Sequence, residues 1–422
     1  MIRHPSPRPS FLLPFWALLL VIPALGIIAA IATRPPTAPA SPYQYSLPLN
    51  LPGTTQRRQL IEQEIQIYKT QLKQAPKSGL TLAALASAYW KLGKATGETA
   101  WYLLAEQTAA RSIASLPFSN DGAHLVLAQV AQARHDFKAA QSIAQKILKT
   151  HANSDAQALL VTCAIATGDL QTAEKTIQPL LKLSPTLSTL TLQALLEEAQ
   201  GKPSAIETFK LALQMEEAGE MGNSAWVRVL LGRHYYLRGD FDQAETLYQE
   251  ALRILPRYPL ALLHLAGLET QRGRYPEAER LYDRVVAYSQ QAANVYDHTI
   301  LRGKARLKKL QNQSNEDLLN QAEALLRQET NPGHANGNFG HRRELAQLLL
   351  DRDRTNDRTN DRAEALNLME AEFKLRQDPQ TRSVYLRALR ANQRLAEAQQ
   401  LESSNPPHRA LANDLILGLD AL

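Results

Sequence analysis

The stretch LLGRHYYLRGDFDQAETLYQEALRILP (Leu230–Pro256) is followed by a second copy of its own pattern, HLAGLETQRGRYPEAERLYDRVV (His264–Val286). The two align at a shift of 34 residues: Leu231 on Leu265, Gly239 on Gly273, Phe241 on Tyr275, Ala244 on Ala278, Tyr248 on Tyr282 and Ala251 on Val285. A fixed period of this size marks a two-helix unit that buries its apolar face only by stacking on its neighbours. Leu231, Gly232 and Tyr235 fall at i, i+1 and i+4, on one face of a first helix. Gly239-Asp240 breaks the chain between the helices. Ala244, Tyr248 and Ala251 follow at i, i+4 and i+7 on a second helix, which Pro256 ends because proline has no N–H to donate. Small residues at 232, 244 and 251 let the helix axes approach, while Tyr235 and Tyr248 fill the space between them.

The pattern Leu231-Gly232-x2-Tyr235…Ala244-x3-Tyr248…Pro256 resembles the tetratricopeptide repeat, with Arg228 standing where that family often has Trp. The resemblance implies an all-α fold, a right-handed superhelical solenoid of helical hairpins. Its first helices are expected to line a concave groove that holds a protein or peptide ligand. Phasing outward from the two clear units places repeats at 121–154, 154–187, 225–258 and 259–292, within a solenoid spanning 57–292. Leu127, Ala128, Phe137, Ala140, Ala144 and Ile147 take the repeat positions in the first of these, and Gly168, Leu170, Ala173, Ile177, Leu180 and Pro185 in the second. Gly201, Ala205, Phe209 and Ala212 mark a degenerate unit, separated from Ala244 by the longer connector QMEEAGEMGNSA. Leu85, Ala86, Tyr89 and Gly93 pair with Ala105, Ala109 and Ser112 in an earlier unit. Ahead of it, Ile61, Ile65, Tyr68 and Leu72 form the single apolar face of a lone capping helix.

Residues 293–422 read as degenerate units of the same kind. FGHRRELAQLLLDRD and AEALNLMEAEFKLRQD make one pair, SVYLRALRANQRLAEAQQL makes another, and ALANDLILGLDAL is expected to cap the stack. The His-Arg-Arg-Glu-Leu-Ala start, the Ala-Leu-x-Leu second helix and the closing Arg-x-Asp resemble the C-terminal units of a group of bacterial repeat proteins. DRDRTNDRTNDR (Asp351–Arg362) contains a direct Asp-Arg-Thr-Asn duplication and reads as an exposed loop.

The amino terminus carries the compartment signal. Phe11–Ala32 is an uncharged run of 22 residues. At about 1.5 Å per residue it spans roughly 33 Å, enough for a bilayer core of about 30 Å. Arg3 and Arg8 precede it and Arg34 alone follows closely, so residues 1–10 are expected in the cytoplasm and the repeats outside it, as in a single-pass protein of a bacterial inner membrane. Cleavage at Ala30-Ile31-Ala32 or Ala38-Pro39-Ala40 would instead release a secreted or periplasmic protein. No Cys ends the run, which excludes a lipoprotein. Residues 33–56 hold six prolines and read as a stiff spacer.

Composition agrees with a helical scaffold: 44% of residues are hydrophobic and no segment alternates like a strand. The one cysteine, Cys163, cannot form an internal disulfide and reads as a buried small hydrophobe. The net charge of +6 includes Arg302, Lys304, Arg306, Lys308 and Lys309 on one helix, which reads as a solvated face. Nucleic acid is not expected as a partner. No phosphate loop, Cys pair, His-Glu-x-x-His or Gly-x-Ser-x-Gly occurs, and His334 and His341 have no third ligand spaced to help them. Neither an enzyme nor a cofactor or metal site is expected.

What remains is binding through the groove. The outward positions of first helices are Leu125, Gln129 and Gln132 in one unit, Trp226, Val229, Arg233 and Tyr236 in another, and Leu263, Thr270 and Gln271 in a third. Some members of the resembled family clamp a peptide carboxylate with Lys and Asn here; Leu125, Val229 and Leu263 replace the Lys, so that activity is not carried over. A mixed apolar and amide groove suits an extended or helical partner segment. The anchored repeat subunits of bacterial cytochrome-maturation or envelope-assembly systems are similar in layout.

Overall fold

A computed structural model describes residues 41–49, 54–183, 185–288, 292–330, 340–356 and 359–404. The contacts group residues 45–422 apart from 1–44, and all that follows concerns the larger unit. Among the described residues a lone helix, α1 (Thr54–Gln74), is followed by nine antiparallel hairpins. These are α2 (Gly79–Thr96) with α3 (Thr99–Ser115), α4 (Asp121–Ala133) with α5 (Phe137–Thr150), and α6 (Ser154–Thr167) with α7 (Leu170–Leu183). Next come α8 (Leu187–Ala199) with α9 (Ala205–Gln214), α10 (Met221–Leu237) with α11 (Phe241–Ile254), and α12 (Pro259–Gln271) with α13 (Tyr275–Tyr288). The series ends with α14 (Asp297–Leu310) and α15 (Glu316–Thr330), α16 (Arg342–Asn356) and α17 (Thr359–Phe373), and α18 (Pro379–Ala391) and α19 (Leu395–Ser404).

The repeat positions carry the core. Ala128, Ala140, Ala144, Ala173, Ala205, Ala244, Ala251, Ala278, Ala365 and Ala398 are all buried, so helix backbones pack at close range across every phased hairpin. Gly232 makes room for the ring of Tyr248: a Cβ there would lie 2.5 Å from Tyr248 Cε1. Capping follows the same period. Asp136, Asn153 and Asp240 each accept a backbone N–H three residues on, at 3.1, 2.9 and 3.4 Å, the type of bond that stabilises a helix start by about 1 kcal/mol. Cys163 is fully buried, and burial pushes its thiol up to about 12.

Arg228, at the position where the repeat often has Trp, is itself buried. It forms a fork with Glu216 of the long connector, with Nη2 3.1 Å from Oε2, and Nη1 also donates to the Ser224 carbonyl at 2.9 Å. Its guanidinium lies 5.7 Å from the centre of the Tyr45 ring. The expectation of a spacer over 33–56 is corrected for residues 45–49 and 54–56, the rest lying outside the larger unit or the described residues. Tyr45 is buried, Leu47 and Leu49 pack beside it, and the Tyr45 backbone bonds to Glu250 and Arg253 of α11 at 2.6 and 2.9 Å. Alternating apolar residues give this extended segment one face to bury, and helix α1 already begins at Thr54.

The hairpin series also returns on itself. The turn of the α2–α3 hairpin meets the connector before α14: Thr99 N donates to Ala293 O and Val295 N to Gly97 O, both at 3.0 Å, and Asn294 Nδ2 donates to Thr96 O at 2.8 Å. The turn of the α4–α5 hairpin meets the connector before α16, where His135 Nδ1 lies 3.2 Å from Gly340 O. The α6–α7 turn meets the connector before α18, where Gln377 N donates to Ala166 O at 2.9 Å. The first three hairpins thus each touch the connector that opens the sixth hairpin after them. Positive-φ glycines fit these contacts: a Cβ on Gly97 (φ 76) would lie 2.6 Å from Asn294 Oδ1.

The C-terminal motif read from sequence is a buried ionic network at this return. Arg343, Glu344, Arg376 and Asp378 are buried. Asp378 caps α18 through Gln380 N and Thr381 N, both at 3.1 Å, and accepts from Arg376 at 2.6 Å. Burial opposes ionisation of Asp378, but Arg376 and Arg343 outweigh it and hold its carboxyl well below the usual range. Two further readings are corrected. Asp351–Arg362 is not an exposed loop: its first half ends α16, its second half begins α17, and Arg352 is buried against Glu323 and Asn320. The basic run on α14 is not one solvated face: Arg302 is buried, Lys304 pairs with Asp283, and Lys308 and Lys309 alone of the five are exposed.

Among the described residues no helix is long and apolar enough to cross a membrane. The expected tail (1–10), the span (11–32), both cleavage sites and the final helix at 410–422 lie outside the described residues.

Candidate protein-binding cavity and groove

The last turns of α2 carry Trp90, Lys91 and Lys94 at i, i+1 and i+4, so all three share one face. That face borders a cavity of about 380 Å³, which is also lined by Arg58, Trp226 near the start of α10, Arg257 and Tyr258 in the Pro256–Pro259 connector, and Tyr288 at the end of α13. The volume lies within the range of small-ligand sites, roughly 300–1,000 Å³. Hairpins more than a hundred residues apart in sequence supply its walls.

Its charge is not self-compensated. Arg58 pairs with Glu62 and Glu98 at 2.8 and 3.0 Å, and Lys91 sits 3.5 Å from Glu64. Among the described residues no carboxylate pairs with Lys94 or Arg257. Lys94 Nζ lies 5.9 Å from the Trp90 ring centre, and the Arg257 guanidinium 4.9 Å from that of Tyr288. Such cation–ring contacts hold a positive head in place without neutralising it. The Lys94 side chain opens on the cavity, and the protein surrounding it holds its pKa below the ordinary lysine value. The site therefore offers two positive heads and four aromatic walls.

The tetratricopeptide repeat family model matches residues 185–257 and, in a second form, residues 235–297. The chain is a tetratricopeptide repeat protein. Its structure is similar to the Cut9–Hcn1 hetero-tetramer of the APC/C, at 14% identity and a TM-score of 0.46 over 95% of this chain and 81% of that one. It is also similar to the human IFIT1 dimer with PPP-AAAA, at 15% identity and a TM-score of 0.47 over 77% and 71%. No curated protein matches the sequence.

The groove residues read from the repeat phase fare unevenly. Val229 and Thr270 do not face outward: they are 2% and 4% exposed, and the Thr270 hydroxyl donates to Ala266 O within its own helix. Leu263 is likewise buried. In this tetratricopeptide repeat protein, neighbouring first helices pack closely enough to cover those positions. Trp226, Arg233, Tyr236, Gln271, Gln129 and Gln132 are half-buried. Only Trp226 of these lines the cavity. Arg233 pairs with Glu198 of the preceding hairpin at 3.5 Å, and the same carboxylate takes His234 at 2.9 Å. Tyr236 packs against Phe241 with ring centres 5.5 Å apart. Gln271 faces Arg306 at 3.5 Å, and Gln132 donates to Thr162 at 2.6 Å. The two residues with the strongest sequence claim are thus already engaged, Arg233 with the preceding hairpin and Tyr236 within its own.

Sequence reasoning missed Trp90, Lys94, Arg257, Tyr258 and Tyr288. The i, i+4 spacing of Trp90 and Lys94 was a usable signal, and so was the charged aromatic connector between two prolines. Nothing in the period linked the two. His334 lies outside the described residues, while His341 gathers with His298 and Glu329.

Proposed function

We propose that this tetratricopeptide repeat protein is a protein-interaction scaffold whose cavity takes an extended partner segment carrying a carboxylate beside an apolar or aromatic side chain. The observation that carries this reading is the pair Lys94 and Arg257, each held over a ring and neither matched by a carboxylate among the described residues. A single acidic side chain entering between Trp90, Trp226 and Tyr288 gains charge-assisted hydrogen bonds from both cations. Nucleic acid is the less suited partner, since phosphate tracking needs a basic groove that follows a backbone rather than an enclosed cavity. The reading assigns recognition and no catalysis.

The finer assignment rests on the sequence. The 22-residue apolar run at 11–32 supports an uncleaved anchor, and Arg3 and Arg8 support repeats on the extracytoplasmic side of a bacterial inner membrane, in cell-envelope assembly. Release after signal cleavage is the alternative, which amino-terminal sequencing of the mature protein distinguishes.

Photocrosslinking from position 226 in intact cells tests the cavity. The wild-type background should yield a principal adduct, and Lys94→Ala combined with Arg257→Ala should lose it while the protein stays helical. Wild-type yield in that double variant would remove the cavity from partner capture. Loss in Arg233→Ala, Tyr236→Ala instead would return it to the groove.

A further inference from the structure

His298 near the start of α14, Glu329 at the end of α15 and His341 just before α16 come together with their ligand atoms all within 4.8 Å of one another. His298 is buried, and His341 and Glu329 are partly open, with side chains 11% and 17% exposed. The imidazole centres of the two histidines are 4.5 Å apart, and His341 Nδ1 lies 2.6 Å from Glu329 Oε2. Two imidazoles and one carboxylate on three rigid positions, with one edge open to solvent, make the ligand set of a zinc site that keeps a fourth position for water.

Among the nearby guanidiniums, Arg343 is matched by Glu344 and by Asp378 at 3.6 Å, Arg376 by Asp378, and Arg302 lies 3.8 Å from Asp351. Glu329 has His341 as its hydrogen-bond partner among the contacts described, which leaves a carboxylate able to turn to a metal. Beyond the three ligands, His135 places its ring edge-on to His341, with centres 6.1 Å apart, from the turn of the α4–α5 hairpin.

We propose that His298, Glu329 and His341 bind one transition-metal ion, zinc by preference, and that the ion fixes the α14–α15 hairpin to α16 where the α4–α5 turn returns against it. Sequence spacing concealed the site: its ligands are 31 and 12 residues apart and His298 precedes the others by a whole hairpin. The borderline nitrogen and oxygen donors favour zinc or cobalt over calcium or magnesium.

Cobalt titration of the full-length protein, purified in detergent and stripped with chelator, tests this. Saturable one-to-one binding with the visible absorption of a four-coordinate ion is expected, together with displacement by zinc. Glu329→Gln, which is partly exposed and conserves shape, should abolish that absorption with helicity unchanged, and His298→Ala should do the same. Zinc should also slow amide exchange in Arg342–Asn356 of the wild-type protein and leave Glu329→Gln unaffected. Absence of saturable cobalt binding to the wild-type protein would overturn the proposal, as would binding retained in both variants. Either result would leave the His341–Glu329 contact as an ion pair only.

Discussion

Removing Glu216 alone should destabilise the α10–α11 hairpin more than removing both Glu216 and Arg228. Arg228 and Glu216 have side chains only 1% and 8% exposed, so neither charge has water to fall back on. Glu216→Ala leaves the guanidinium with the Ser224 carbonyl and the face of Tyr45. Breaking one side of such a pair costs about 3–5 kcal/mol, whereas replacing both partners by apolar side chains of similar volume is often neutral or stabilising. Glu216→Ala should therefore lower stability by about 3–5 kcal/mol, and Glu216→Leu with Arg228→Met by far less. Because stability in a repeat array varies along the chain, amide exchange of Met221–Leu237 is a better reporter than a single melting point. Exchange there should accelerate in Glu216→Ala and stay near wild type in the double variant. If the double variant proves as labile as the single one, the pair is not what holds the connector, and the account of Arg228 as a substitute for Trp fails.

Three further outcomes follow from the packing. Ala244→Leu should cost about 1–3 kcal/mol by overpacking against a fully buried site, while Gln249→Leu on the exposed side of the same helix should move urea midpoints little. His264, packed face to face on Tyr248, is pushed down to about 3, first by burial and then by Arg233. The unfolded chain takes up that proton near pH 6.5 and the folded one does not, so its contribution is complete above pH 6.5 and is lost as pH falls toward 3. His264→Phe should flatten the acid limb of a stability-against-pH curve by up to one proton, and an unchanged slope would show that His264 titrates freely. Gly97→Ala places a Cβ against Asn294 at a left-handed φ, so it should raise amide exchange around Asp297–Leu310, far away in sequence.

The sequence was most legible where one residue type answers to one neighbour. Ala244, Tyr248 and Ala251 repeat because each meets the adjacent helix in every unit, and the structure buries all three. Caps and turns were equally readable, since Asp240 and Gly239 act within four residues of themselves. The reading weakened where a side chain answers to something outside the period. Val229 and Thr270 occupy outward register positions yet are covered by the next first helix, an effect of hairpin spacing that no single repeat contains. Asp351–Arg362 has loop-like composition, but Arg352 finds carboxylates on another hairpin, and the helices Arg342–Asn356 and Thr359–Phe373 reach into the stretch from both sides. Tyr45, Leu47 and Leu49 were hidden by the prolines around them.

A repeat period records only nearest neighbours, and both sites argued for here are built from non-neighbours. The cavity joins the first hairpin to the fifth and sixth. The His298, Glu329 and His341 cluster lies where the second hairpin's turn meets the connector before the eighth. These contacts exist because the first three hairpins each meet the connector opening the sixth hairpin after them, which brings side chains together that no 34-residue window holds. A solenoid whose stability were only a sum of adjacent interfaces would tolerate loss of one end without cost to the other. Here the backbone bonds between Gly97–Thr99 and Ala293–Val295 tie the first hairpin to the seventh directly. The α14–α15 hairpin should therefore lose protection when the α2–α3 turn is disturbed, although five hairpins separate them. The cavity wall formed by Trp90 and Lys94 depends on the same tie, so partner capture and long-range stability should fall together.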